Sequence, residues 1–210
     1  MKIELLYFNH NCNSYLISDD NVGYLVDPGF NHNNCLFEAI KKKNIKLKGI
    51  LLTHAHYDHI EGLIDNNSLP IYIYKDEEEA LYNARSNCSL MAFENGFILK
   101  KQNAILLSDN DIIKLNNHQI KVIHTPFHTK GSICFYIKEL NVLISGDTLF
   151  FHAIGRYDLP TSQSRFIKSS LKKLFLLPHL DNDDTIVYPG HGPKTTLARE
   201  YRFLKNEYLS

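Results

Sequence analysis

The chain has 210 residues, 44% hydrophobic and 22% charged, which suits one sizeable α/β domain with its own core. Its 23 Lys and Arg residues balance 23 Asp and Glu residues, so nothing in the charge points to nucleic acid or to an anionic membrane surface. No apolar run reaches the ~20 residues that span a bilayer. The opening MKIELLYFNHN has neither an apolar core nor a small-residue cleavage site, so a cytoplasmic protein is expected.

In chain order, the pattern predicts strands near 2–8, 13–18 and 22–27, the last closed by the turn Asp27-Pro28-Gly29. A helix follows near 34–44, with Leu36, Ala39 and Ile40 on one side and Lys41, Lys42 and Lys43 on a solvated end. Ile50-Leu51-Leu52 reads as a buried strand, then a helix near 58–66 and a strand near 70–74. Asp76 is placed to cap a helix through the 80s, with Glu77, Glu78 and Glu79 at the positive end of its dipole. Strands are expected at 104–107, 111–115, 119–124, 132–138 and 142–145, and a helix at 162–176. A strand at 185–188 and a helix near 195–208 complete the order. Asn-rich patches around 31–34, 66–67 and 116–117 read as turns. With no linker or repeat, a single domain over 1–210 is expected, built as two packed sheets covered by helices. Cys12, Cys35, Cys88 and Cys134 form no C-x-x-C pair and are read as buried free thiols.

The chemistry concentrates in Thr53-His54-Ala55-His56-Tyr57-Asp58-His59. In an extended segment residues i and i+2 point the same way, so His54 and His56 can reach one metal together. Asp58 and His59 open the next helix and can turn toward a second. Further candidates each follow an apolar strand and a turn: His128 after 120–123, Asp147 after 142–146, and His191 after 185–190. If those strands share one edge, the ligands converge there. Two metal ions about 3.5–4 Å apart want a bridging carboxylate, and Asp147 is the natural candidate. The other six ligands then divide three and three. Imidazole and carboxylate donors suit zinc, and iron or manganese also occupy such sites.

T-H-A-H-Y-D-H (53–59), H-T-P-F-H-T (124–129), S-G-D-T-L-F (145–150) and Y-P-G-H-G (188–192) resemble the motifs of the metallo-β-lactamase superfamily. The likeness runs from about residue 12 to 205. Within the superfamily the chain is most similar to short, single-domain glyoxalase II-like hydrolases (hydroxyacylglutathione hydrolase-like), whose G-R-x-D-L segment matches Gly155-Arg156-Tyr157-Asp158-Leu159. The resemblance implies an αββα sandwich. It implies one metal at His54, His56 and His128, a second at Asp58, His59 and His191, and Asp147 between them. It also implies hydrolysis of thioesters such as S-lactoylglutathione; the expected mechanism is attack by a metal-activated hydroxide, with Asp58 as the catalytic residue that ligates and orients it. Two departures stand out. Phe127 replaces a small residue, so the loop before His128 is expected to differ. The chain stops after one predicted helix where full-length relatives carry a glutathione-binding helical domain, which puts glutathione as the thiol half in question.

The expected partner is a small-molecule substrate, with no nucleic acid and no membrane; the sequence leaves the oligomeric state open. Alternatives of the same fold are a mononuclear iron persulfide dioxygenase, a lactonase or a β-lactamase. A flavodiiron-type oxygen reductase would want Glu in place of His56. A non-enzymatic metal-binding protein is the remaining class.

Other residues have plainer readings. His124 is expected to end a strand, because Pro126 argues against a helix joining it to His128. His10, His32, His118 and His179 read as surface or packing residues. His152 follows Asp147 closely enough to touch substrate. Asp27 is either a turn carboxylate or support for a metal-ligating histidine. Arg156 and Asp158 read as a structural loop pair that can also shape the pocket. Gly146 and Gly190 are expected to permit tight turns before ligands.

Overall fold

Short runs rich in Ile, Leu, Val and Tyr in the first 26 residues give β1 (Lys2–Tyr7), β2 (Ser14–Asp19) and β3 (Val22–Val26), paired antiparallel in sequence. Helix α1 (Cys35–Lys42) carries the chain to β4 (Lys46–Leu51), which lies parallel to β3. Strands β5 (Ile71–Tyr74) and β6 (Ala104–Leu107) extend this first sheet in parallel, giving the order β1-β2-β3-β4-β5-β6. The second sheet contains β7 (Ile112–Leu115), β8 (His118–His124), β9 (Ile133–Ile137), β10 (Val142–Gly146), β13 (Ile186–Pro189) and β14 (Thr195–Thr196). Its order is β14-β13-β10-β9-β8-β7, with β10 and β13 parallel. A two-stranded hairpin, β11 (Leu149–Phe150) and β12 (Ala153–Ile154), stands beside it. This computed structural model describes residues 1–7, 12–29, 35–64, 68–177 and 184–209. The readings for His10, His32 and His179, and for the Asn-rich turns at 31–34 and 66–67, lie outside them.

Successive strand residues point to opposite faces, and both faces are buried here, which is why the strands read as nearly continuous apolar runs. Tyr15, Ile17, Val26 and Leu51 face inward against Leu115, Val122, Phe135 and Ile144 of the second sheet. Their neighbours Leu16, Leu25 and Ile50 face outward, against Ile40 of α1 and Ile60 of α2 (Tyr57–Ile60). On the far side, Cys134, Leu143 and Val187 pack under Leu171 and Leu174 of α3 (Ile167–Phe175) and Leu197 and Leu204 of α4 (Leu197–Leu204). The layers are therefore helix, sheet, sheet, helix, as the motifs implied. Truncating a central side chain such as Leu143 to Ala costs about 2–5 kcal/mol through lost burial and the cavity left behind.

Several elements depart from the sequence pattern. The helix expected through the 80s is instead a 3-10 run, Lys75–Tyr82. Its three-residue turn stacks positions i and i+3, which puts Tyr74, Glu77 and Ala80 on one buried side. Glu77 is thus drawn into the interior rather than standing in a solvated first turn. Beyond it, side chains replace regular backbone pairing: Asn87 Nδ2 donates to the Phe97 carbonyl, and the Phe97 amide donates to Ser89 Oγ. Helix α2 is short and passes into a 3-10 turn at Glu61–Leu63. The helix expected from 162 begins at Ile167, after a 3-10 turn at Ser164–Phe166. All four cysteines are free, three of them buried, but Cys35 is exposed at the start of α1. Among the described residues no helix is long and apolar enough to cross a membrane.

Candidate metal centre

Strand ends deliver the polar residues. Residues 52–56 leave β4 with His54 and His56 and lead into α2, which carries Asp58 and His59; His128 follows β8, Asp147 follows β10, and His191 follows β13. Backbone bonds stitch these ends together: Ile133 N donates to Thr53 O across the sheets (2.9 Å), and Gly190 N donates to Gly146 O (2.8 Å). Gly146 has φ +48°, and a Cβ there would strike the Thr53 side chain. At Gly190 a Cβ would run into the Asp147 carboxylate and the His59 ring. Both glycines are dictated by the close approach of ligand-bearing segments.

All seven candidate ligands meet in one place. His54, His56 and His128 form one compact group; Asp58, His59 and His191 form another; His54, His59 and Asp147 form a third between them. His128 Nε2 lies 2.9 Å from His56 Nδ1, and His191 Nε2 lies 3.2 Å from Asp58 Oδ2. Asp147 touches both groups: Oδ1 is 3.3 Å from His59 Nε2, and Oδ2 is 3.5 Å from both His128 Nε2 and His191 Nε2.

The surrounding hydrogen bonds set the histidine tautomers. Asp27 Oδ2 accepts from His59 Nδ1 (3.0 Å) and from Thr53 Oγ1 (2.7 Å), while Oδ1 accepts from the Thr53 amide (2.8 Å). Having donated its proton, the Thr53 hydroxyl accepts from His54 Nδ1 at 3.1 Å. His128 Nδ1 donates to the Arg156 carbonyl at 2.7 Å. His54 and His128 therefore each keep a lone pair on Nε2, and the bond to Asp27 aims His59 Nε2 into the same space. His54 Nε2 and Asp147 Oδ1 are buried without a hydrogen-bond partner. Lone pairs and carboxylates converging in a buried space are what cations satisfy, so the residues fit a metal centre. Of the two readings of Asp27, the structure supports the one in which it orients a histidine.

Burial pushes His54 well below the ordinary histidine range, His56 to about 3, and His128 down as well. They are neutral at pH 7, the form that ligates a metal. At His59, burial is outweighed by Cys12 and by the carboxylates of Asp147, Asp58 and Asp27, which hold the ring well above its usual value. At Asp147, burial is outweighed by His59, His191 and His128, which keep the carboxyl ionised.

Glu77, read from sequence only as a helix-start charge, is a second support. Its Oε1 accepts from Ala55 N (3.1 Å), and its Oε2 accepts from Thr129 Oγ1 and Gly131 N (both 2.9 Å). One buried carboxylate thus ties the His54–His56 segment to the loop after His128. Burial raises its carboxyl against the pull of those hydrogen bonds. No sequence signal singled it out, because its role depends on the 3-10 geometry.

Among the described residues, the remaining histidines are structural. His124 ends β8 and stacks on Tyr74 (3.9 Å between ring centres). His118 lies 3.7 Å from Asp19. His152, at the hairpin tip with φ +56°, stacks between Phe151 and Phe203 and does not line the cavity beside the centre, unlike the substrate contact considered for it. Phe127 is fully buried, and its carbonyl accepts from Gln163 N, so the larger residue is absorbed by the loop's packing. Arg156 and Asp158 pair through two bonds of 2.9 and 3.0 Å, with Arg156 also bordering the cavity. That cavity, about 460 Å³, opens over His56, Asp58, His128, Asp147 and His191.

Comparison with known proteins agrees with this architecture. Residues 8–191 match the family model described as the metallo-beta-lactamase superfamily. The chain is 32% identical over 221 residues to hydroxyacylglutathione hydrolase GloC of Haemophilus influenzae (strain ATCC 51907 / DSM 11121 / KW20 / Rd), covering all of this chain and 99% of that protein. It is similar to the crystal structure of the BLEG-1 B3 metallo-beta-lactamase, with TM-score 0.86, 31% identity, and coverage of 96% of this chain and 97% of the other. It is also similar to TTHA1623 in a di-iron-bound form, with TM-score 0.77, 31% identity, and coverage of 95% and 98%. From its four motifs, its paired sheets and these matches, the chain belongs to the metallo-β-lactamase superfamily of metal-dependent hydrolases.

Proposed function

We propose that the chain hydrolyses thioesters of small molecules at a centre for two divalent metal ions. The observation that carries this reading is the position of Asp147, whose two oxygens reach ligands of both histidine groups within 3.5 Å. Such a carboxylate would serve two ions, one that His54, His56 and His128 would hold and one that Asp58, His59 and His191 would hold. Zinc suits these donors, and the likeness to a di-iron protein keeps iron in view. A mononuclear dioxygenase centre would leave the Asp58, His59 and His191 group without a task. The thioester comes from the likeness to GloC.

When bound, the ions supply Lewis acidity and lower the pKa of water. The protein's own work is positional. Asp58 borders the cavity and lies 3.2 Å from His191, where a carboxylate oxygen can accept a proton from the attacking water and aim it. His54, His59 and His128 are held in one tautomer by Thr53, Asp27 and the Arg156 carbonyl. The reaction forms a C–O bond to water oxygen and breaks the C–S bond, and the thiolate leaves. The cavity's 460 Å³ suits a small-molecule substrate rather than a polymer or membrane surface. The free thiols fit a reducing, cytoplasmic setting.

Release of free thiol from S-lactoyl thioesters by the metal-loaded protein tests the reading. The likeness to BLEG-1 supports a second reading, opening of a β-lactam amide by the same attack. Turnover of a chromogenic cephalosporin without thioester turnover would replace the first reading with the second.

A further inference from the structure

The floor of the cavity is polar, but its walls are not. Beside the metal-ligand candidates it is lined by Tyr57, Cys88, Met91, Phe150, Ile154 and Leu159. The apolar surface continues outward past the mouth. Met91 is 60% exposed, Leu90 50% and Phe93 41%, and Phe93 lies edge-on to Tyr57 at 5.7 Å. Phe150, also in the lining, stands edge-on to His191 at 5.9 Å. Exposed apolar side chains gathered at the entrance of a site mark what that site holds.

Cations are scarce in the same place. Among the described residues bordering the cavity, Arg156 is the only Lys or Arg. The guanidinium of Arg156 is already held by both oxygens of Asp158, at 2.9 and 3.0 Å. Glutathione carries two carboxylates and one ammonium group. Recognising it takes free cations or a set of unpaired donors, and an anion set against an apolar wall loses hydration without a partner.

We propose that the thiol half of the substrate is a compact, uncharged, apolar thiol, alkyl or aryl, seated against Tyr57, Met91, Phe150, Ile154 and Leu159. This inference rests on the thioesterase reading and narrows it. It parts from the glutathione named for the similar GloC protein on the chemistry of the wall alone.

The test holds the acyl group fixed and varies the thiol. The metal-loaded protein is given S-lactoyl benzyl mercaptan and S-lactoylglutathione, and thiol release is measured for each. Burying an aryl ring against the wall predicts a kcat/KM about tenfold or more in favour of the benzyl compound. Met91→Lys, which places a cation at the mouth, is expected to narrow that ratio by about tenfold, chiefly through KM. Equal or better use of S-lactoylglutathione by the unaltered protein would overturn the proposal.

A second measurement is independent of turnover. Benzyl mercaptan and glutathione are titrated into the cobalt-loaded protein, and the sulfur-to-cobalt absorption band is followed. The proposal expects benzyl mercaptan to bind more tightly, and tighter or equal binding of glutathione overturns it. If neither thioester is cleaved, the thioesterase reading falls, and the titration still decides the character of the wall.

Discussion

Glu77 Oε1 accepts a hydrogen bond from the amide of Ala55 at 3.1 Å, so the short 3-10 run after β5 fixes the backbone between His54 and His56. The same carboxylate holds Thr129 and Gly131 through its other oxygen. A Cβ at Gly131 would overlap Glu77, so the loop after His128 is shaped around this side chain. Glu77→Ala leaves the Ala55 and Gly131 amides without their acceptor, a loss of about 3 kcal/mol or more. Glu77→Gln keeps the shape but turns an amide donor toward other donors, and is expected to lose less. Urea denaturation measures both losses; a Glu77→Ala protein as stable as the unaltered one would remove Glu77 from the account.

Asp27 serves Thr53 and His59 together. Asp27→Asn turns a donor toward one of them and disturbs the tautomer of His59. Affinity for the more weakly held metal is expected to fall about 10- to 100-fold. Competition with a chromophoric chelator reads this directly, and a change within twofold would mean that Asp27 is only a turn carboxylate.

Two glycines next to the same histidine separate crowding from backbone strain. At Gly190 a Cβ would meet Asp147 and His59, so Gly190→Ala is expected to lose metal and about 1–3 kcal/mol of stability. At Gly192, with φ +74°, a Cβ meets nothing within 4 Å. Gly192→Ala is expected to cost about 1–2 kcal/mol through backbone strain alone and to keep its metal. Thermal melts and metal analysis of the pair check the contrast; metal loss in both would contradict it.

Asp58 offers the most direct catalytic test. Asp58→Ala should lose one of two bound metals and most of the turnover. Full activity with both metals retained would sink its role.

The motifs in the sequence were enough to gather the seven ligand candidates, because a strand end followed by a turn is a local signal. The two sheets were equally legible, since β2, β3, β9 and β10 bury both faces and leave apolar runs. What stayed hidden depends on three-dimensional closure. Glu77 looked like one of three acidic residues in a solvated helix start, and only the three-residue period of the 3-10 run turns it inward. Asp27 was ambiguous because its partners Thr53 and His59 lie 26 and 32 residues away. The hairpin at 149–154 is too short to leave a periodic trace, yet it supplies Phe150 and Ile154 to the cavity and carries His152 away from it.

The most direct test of the central claim is metal content of the purified protein, measured together with hydrolysis of S-lactoyl thioesters. Two equivalents of metal per chain with thiol release is the predicted result. One equivalent of iron with no hydrolysis would contradict it and point instead to a mononuclear centre.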